Sequence, residues 1–268
     1  MSEEKEYFRN RRYHRLWKCT AGTGDPFDRK KDEAAKLLLE ALSSEENLGI
    51  AERICKYADV FMGFNKEIER KTENSAQGLE GILSKMRAEV DSLALCRTDP
   101  VAIKYGGFFT WFALAAYNLF SCSISVSKKI PEKGQPTIIA HEYSHHVQNS
   151  AQNADTFAAL PVLSEGMADA VGIAATKSYA HAHNDGKALH FAEQTIEDRM
   201  SKAVRLIHSS FTKLEFNAPK NYSRADIYSI GCAAFLVAEI KRGQGIYRDI
   251  LRAENPLGML VKALGGGR

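Results

Sequence analysis

The sequence predicts an α+β chain that is mostly helical, and three observations carry that prediction. Apolar residues recur at helical spacing through much of the first hundred positions. A short stretch from Ser121 to Ser127 alternates polar and apolar side chains with period two, as a strand does. Further helical segments follow from about residue 136 onward. Composition agrees with a folded chain: of 268 residues, 44% are hydrophobic, 26% are charged and only 7 are proline, which excludes disordered and fibrous classes. With 36 basic against 33 acidic residues the charge is too balanced to gather a polyanion, so no nucleic-acid partner is expected.

Taken in order, the chain opens with Lys5, Arg9, Arg11, Arg12, Arg15 and Lys18 beside Tyr7, Phe8, Tyr13 and Trp17. Such a surface could grip nucleic acid, but Glu3, Glu4 and Glu6 offset much of its charge, and a solvated terminal helix is the simpler reading. No apolar core of a secretory leader is present there. The five cysteines, Cys19, Cys55, Cys96, Cys122 and Cys232, are widely spaced and form no C-x-x-C pair, so reduced thiols and a cytoplasmic location are expected. Three amphipathic helices follow from Ala34, Leu37, Leu38 and Ala41, from Ile50, Ile54, Ala58 and Phe61, and from Leu79, Ile82, Leu83, Met86, Val90 and Leu93. Turn-forming residues separate them at Gly22 to Pro26, around Gly63, and from Thr72 to Gly78. The Asp99-Pro100 pair then suggests a boundary, dividing the chain into a helical N-terminal region, 1–100, and a second unit, 101–268.

Residues Tyr105 to Ser127 carry no charge and are numerous enough to cross a bilayer. The alternation of Ser121, Ser123, Ser125 and Ser127 with Cys122, Ile124 and Val126 argues instead for a strand with one polar face. What remains, Tyr105 to Phe120, contains Gly106, Gly107, Thr110 and Asn118 and reads as a buried core segment, so no membrane span is expected.

The chemistry concentrates in Pro136 to Gln148, an apolar entry into a helix carrying His141, Glu142 and His145, the pattern H-E-x-x-H. Residues four apart on a helix differ by about 40° in projection, so both imidazoles face one side and can hold one metal ion. Glu142, one position from His141, stays out of the ligand set but near water activated by the metal, where it can act as general base. Catalytic zinc sites use three protein ligands, so a third is required. Downstream, Ser164 is placed to cap a helix on which Glu165 and Asp169 lie one turn apart. Glu165 is the best third ligand, and Asp169 can accept a hydrogen bond from a ligand imidazole and fix its tautomer. Asn149 to Leu163 remain for a loop and return.

The pairing of His141-Glu142-x-x-His145 with Glu165-Gly166-x-Ala168-Asp169 resembles the gluzincins, the thermolysin-like group of zinc metallopeptidases, over roughly residues 105 to 255. The resemblance implies a zincin-like domain with a small mixed sheet and an active-site helix. It implies one zinc per chain held by His141, His145 and Glu165, Glu142 as general base and proton shuttle, Asp169 supporting the ligands, and a peptide or protein substrate. It also implies an edge strand before the active-site helix, and Ser121 to Ser127 stand where that strand is expected, with an open edge for an extended peptide. Gluzincins tend to supply a later tyrosine or histidine to the oxyanion. The segment Asn221 to Gly231 resembles that region, with Tyr228 the candidate and Tyr222 and His208 its rivals.

Other zinc classes fit less well. A metzincin needs glycine and histidine where this chain has Gln148 and Ala151, and Cys122 lacks the context of a deformylase ligand. His146 points to another helix face and suits a supporting or substrate-side role. His181 and His183 have the alternate spacing of a second clamp on a strand, but their polar surroundings favour exposure. The competing function is a catalytically inactive zincin-like protein, in which metal only stabilises an interaction or regulatory module.

Overall fold

The computed structural model describes residues 26–56, 78–94, 98–106, 114–118, 121–212, 215–216 and 222–265. The basic, aromatic opening segment, Cys19, Cys96, and the breaks expected near Gly63 and over most of Thr72 to Gly78 lie outside them. The described part is mostly helical with one small mixed sheet.

Three helices precede the sheet: α1 (Pro26–Leu42), α2 (Glu45–Lys56) and α3 (Leu79–Ala94). Proline suits the first turn of α1, where its missing N–H would have no partner. In α2, Glu45 and Glu46 open the helix and Arg53 and Lys56 lie in its last turn, matching the helix dipole at both ends. The apolar stripe of α3, from Leu79 to Val90, is buried along its length, as the spacing predicts.

The sheet consists of β1 (Ala102–Tyr105), β2 (Ala115–Asn118) and β3 (Ser123–Val126) in the order β1-β3-β2. The serine-rich strand β3 is central, parallel to β1 and antiparallel to β2, so it is not the open edge the sequence suggested. Nor does it expose a polar face, since Ser123 and Ser125 are buried along with Ile124 and Val126. Serine is small enough to pack and settles its hydroxyl locally, as in the 2.6 Å contact between Ser121 Oγ and Ser123 Oγ. The stretch read as one core segment from Tyr105 to Phe120 instead contributes the end of β1 and the strand β2, and Tyr105 and Leu114 are exposed. Among the described residues no helix is long and apolar enough to cross a membrane.

A short 3-10 turn (Glu132–Gly134) leads into α4 (Gln135–Ser150), the helix of the H-E-x-x-H motif. The expected loop from Asn149 to Leu163 contains a short helix, α5 (Ala154–Ala159), and the start of α6 (Pro161–His183). Because Pro161 initiates α6, Ser164 lies inside its first turn rather than capping it. The long α7 (Gly186–Ser210) ends at a minimal hairpin of β4 (Phe211–Thr212) and β5 (Glu215–Phe216). Helices α8 (Arg224–Arg242), α9 (Gly245–Arg252) and α10 (Pro256–Ala263) follow and are the last among the described residues.

Helix α6 is the centre of the molecule. It is rich in small residues and packs against α3, α4, α7 and α8. Two glycines set its approach to its neighbours. A Cβ on Gly166 would overlap the backbone of Gly231 on α8, and one on Gly172 would come within 3.0 Å of the Thr137 carbonyl and 3.2 Å of the His141 nitrogen on α4. Leu38 and Leu39 of α1, Ala51 of α2 and Met86 of α3 belong to the same hydrophobic core as Ile139, Val171 and Phe235.

Candidate metal centre

His141 and His145 stand one turn apart on α4 and face Glu165 on α6. The two Nε2 atoms are 3.2 Å apart, and Glu165 Oε2 lies 3.4 Å from the Nε2 of His141 and 3.5 Å from that of His145. Ligand atoms at zinc distances of 2.0–2.1 Å in tetrahedral array stand about 3.3 Å apart, so the triad has the spacing a four-coordinate ion requires. Glu165 Oε2 is buried and makes no hydrogen bond among the described residues, an orphan that a cation would satisfy. The group could therefore hold a metal ion with two nitrogens and one oxygen, and among the described residues no other His, Cys, Asp or Glu cluster could.

Both imidazoles are held by their far nitrogens. His141 Nδ1 donates to Asp169 Oδ1 at 2.8 Å, and Asp169 Oδ2 accepts from Arg199 Nε at 2.7 Å. His145 Nδ1 donates to Gln148 Oε1 at 3.0 Å, and the Gln148 amide nitrogen donates to the Ser164 carbonyl at 2.9 Å. A carbonyl only accepts, so the Gln148 amide orientation is settled, and with it the His145 tautomer. In both rings the proton then sits on Nδ1 and the Nε2 lone pair faces the triad.

Burial alone would raise the Glu165 carboxyl, but the His145 and His141 rings that face it, which favour the carboxylate form, hold it well below the usual carboxylate range. For His141, burial opposes the charge, yet Asp169 and Glu165 outweigh it and place the ring well above the ordinary imidazole value. His145 is raised for the same reason, chiefly by Glu165 against burial. The carboxylates thus create a field that favours positive charge between the rings, which a proton or a metal ion can supply.

Glu142 is buried beside the triad. Its Oε2 accepts a 2.7 Å hydrogen bond from the Tyr117 N–H. In the β2–β3 register Tyr117 lies opposite Ile124, at a position whose N–H faces away from β3, so the free edge of β2 is turned toward α4. The Tyr117 side chain reaches the same helix: its hydroxyl donates to His146 Nδ1 at 2.8 Å, while His146 Nε2 donates to the Asp99 carbonyl at 2.9 Å. His146 therefore supports β2 from behind and does not join the triad. Burial first, and then Cys122, pushes the Tyr117 phenol up.

Tyr228 alone of the three oxyanion candidates contacts a ligand. Its ring lies parallel to that of His141, with an interplanar angle of 4° and centroids 6.4 Å apart. Arg224 Nη2 donates to its hydroxyl at 3.0 Å, and the guanidinium carbons of Arg199 and Arg224 stand 5.1 and 5.5 Å from its ring centroid. Burial, and next the Glu165 carboxylate, pushes this phenol up, while Arg224 opposes the rise. Tyr222 is buried with its hydroxyl unpartnered among the described residues, and burial takes it to about 12. His208, at the end of α7, forms an exposed 3.0 Å pair with Glu52 of α2. His181 and His183 fall in the last turn of α6, exposed and on a helix, where residues two apart diverge and cannot clamp an ion.

Sequence reasoning missed Gln148, Arg199, Arg224 and Tyr117. Gln148, three residues after His145, and Arg224, four before Tyr228, carried the helical spacing that could have identified them. Arg199 and Tyr117 act from other elements and carried no local signal. Comparison of the chain with protein-family models, curated proteins and solved structures gives no match.

Proposed function

We propose that the chain is a zinc-dependent metallopeptidase of gluzincin type, in which His141, His145 and Glu165 hold one zinc ion and the substrate is a peptide or protein. The observation that carries this reading is the convergence of two Nε2 atoms and the orphaned Glu165 Oε2 at tetrahedral spacing, with Glu142 beside them. Zinc bound there would polarise a scissile carbonyl and acidify water. Glu142, with Oε2 held by the Tyr117 N–H, keeps Oε1 to take a proton from that water and deliver it to the leaving nitrogen. Tyr228 supplies a phenol for the oxygen that gains charge in the tetrahedral transition state. Apart from the Tyr117 N–H, which Glu142 takes, the β2 edge offers backbone groups to an extended peptide, in the place the sequence assigned to β3.

Elemental analysis of purified protein should give close to one zinc per chain, and Glu142→Gln should abolish peptide hydrolysis while leaving zinc bound. Wild-type protein without stoichiometric metal would overturn the reading. A chain that binds zinc and cleaves no peptide library would instead be a zinc-stabilised interaction module.

A further inference from the structure

We infer that Arg224 is a positioning residue that turns the Tyr228 hydroxyl into a directed donor; this rests on the function proposed above. A guanidinium has five N–H groups and no acceptor, so in the 3.0 Å contact between Arg224 Nη2 and Tyr228 Oη the phenol must accept. Its own hydrogen is then free to point away from Arg224. The other neighbours of the Tyr228 ring are His141, stacked on it, Arg199, whose guanidinium lies against it, and Glu165, whose carboxylate acts on the phenol. Neither arginine offers an acceptor, so the hydrogen is left to the Glu165 carboxylate, a member of the triad.

A cation donating to a phenol oxygen draws electron density from the O–H bond and makes that hydrogen a stronger donor. The arrangement is also rigid. Arg224 and Tyr228 are one turn apart on α8, and the first turn is fixed by a capping box: Ser223 Oγ accepts from the Asp226 N–H at 3.2 Å and Asp226 Oδ2 accepts from the Ser223 N–H at 2.8 Å. The guanidinium also lies over the Tyr228 ring, which fixes its plane. Arg199 donates its Nε to Asp169 and stands over the face of the same ring, whereas the contact with the hydroxyl is made by Arg224.

The test is a double-mutant cycle on the zinc-loaded full chain with Arg224→Gln, Tyr228→Phe and both together. Each single variant should lower kcat about 10- to 100-fold with KM little changed, and the double variant should be no slower than Tyr228→Phe alone. Calorimetry gives a readout besides turnover. A phosphinic peptide, tetrahedral at phosphorus, should bind Arg224→Gln about 10-fold more weakly than wild type, whereas acetohydroxamate should bind both equally. Arg224→Lys, which keeps a cationic donor, should recover part of the loss. Equal losses from Arg224→Gln with and without Tyr228, or unchanged phosphinic peptide affinity, would overturn the inference while leaving the peptidase intact. Wild-type protein that neither cleaves peptides nor binds the phosphinic peptide would overturn both.

Discussion

At the scale of single residues, the His141 and His145 imidazoles are oriented by partners of unequal strength. Asp169 is a buried carboxylate bridging His141 Nδ1 and Arg199 Nε, two charge-assisted hydrogen bonds, whereas Gln148 offers His145 a neutral amide oxygen. Hydrogen bonds to charged groups are worth about 1.5–3 kcal/mol net and neutral ones about 0.5–1.5. In Asp169→Asn one amide oxygen can still accept from His141, but the amide N–H then confronts the donor of Arg199. Zinc affinity, measured by competition with a chromophoric chelator, should fall toward 100-fold for Asp169→Asn and only about 10-fold for Gln148→Ala. Equal effects would mean that the Asp169 charge is not what orients the ligand. Much of this centre was legible in the sequence because its spacing is local: His141, Glu142 and His145 occupy one helical turn, and Glu165 and Asp169 another. Arg199 was not legible, because it meets Asp169 from α7, 30 residues away, and helical periodicity does not say which long side chain crosses to a neighbour.

At the scale of elements, the site depends on how closely α6 approaches α4 and α8. Glu165 precedes Gly166, and Tyr228 stands three residues before Gly231; these two glycines meet where α6 and α8 cross. The motifs carrying Glu165 and Tyr228 therefore each combine a chemical side chain with a glycine that lets its helix come close. A methyl on Gly231 would overlap the Val162 carbonyl, and backbone cannot yield as a flexible side chain does. Gly231→Ala should lower unfolding free energy by about 3 kcal/mol, read from a denaturant midpoint, and should also weaken zinc binding by moving Glu165 away from the two imidazoles. Retained stability with lost zinc would place the strain in the site alone. The strands teach a different lesson. Period-two alternation in Ser123 to Val126 correctly gave a strand, but a serine face is small enough to be buried, so alternation did not distinguish a central strand from an edge.

At the scale of the whole molecule, the amphipathic stripes before residue 94 said that each helix buries a face but not against what. The described structure answers that: α3 packs on α4 and α6, α2 on α7, and α1 on α8. One joint is polar. Tyr143, fully buried on α4 beside Glu142, donates to Asp91 Oδ1 on α3 at 2.9 Å and accepts from Thr98 Oγ1 at 2.5 Å, while Arg87 on α3 donates to the Thr98 carbonyl at 2.8 Å. Burial and then the Asp91 carboxylate take that phenol to about 12, with Thr98 opposing, so it stays a neutral donor throughout the physiological range. The helix that carries His141 and His145 is thus fastened on its reverse side to the N-terminal helices. A shared core implies shared unfolding. Met86, fully buried on α3, touches no ligand, yet Met86→Ala should lower the stability of the whole chain by about 2–5 kcal/mol. On the proposed function zinc binds the folded state alone, and it should raise the same transition by RT ln(1 + [Zn]/Kd). Far-ultraviolet circular dichroism and the near-ultraviolet tyrosine signal should therefore report one coincident transition, shifted down by the cavity and up by the metal. Two transitions, with Met86→Ala moving one and zinc moving the other, would divide the chain near Asp99-Pro100 into independently folding units.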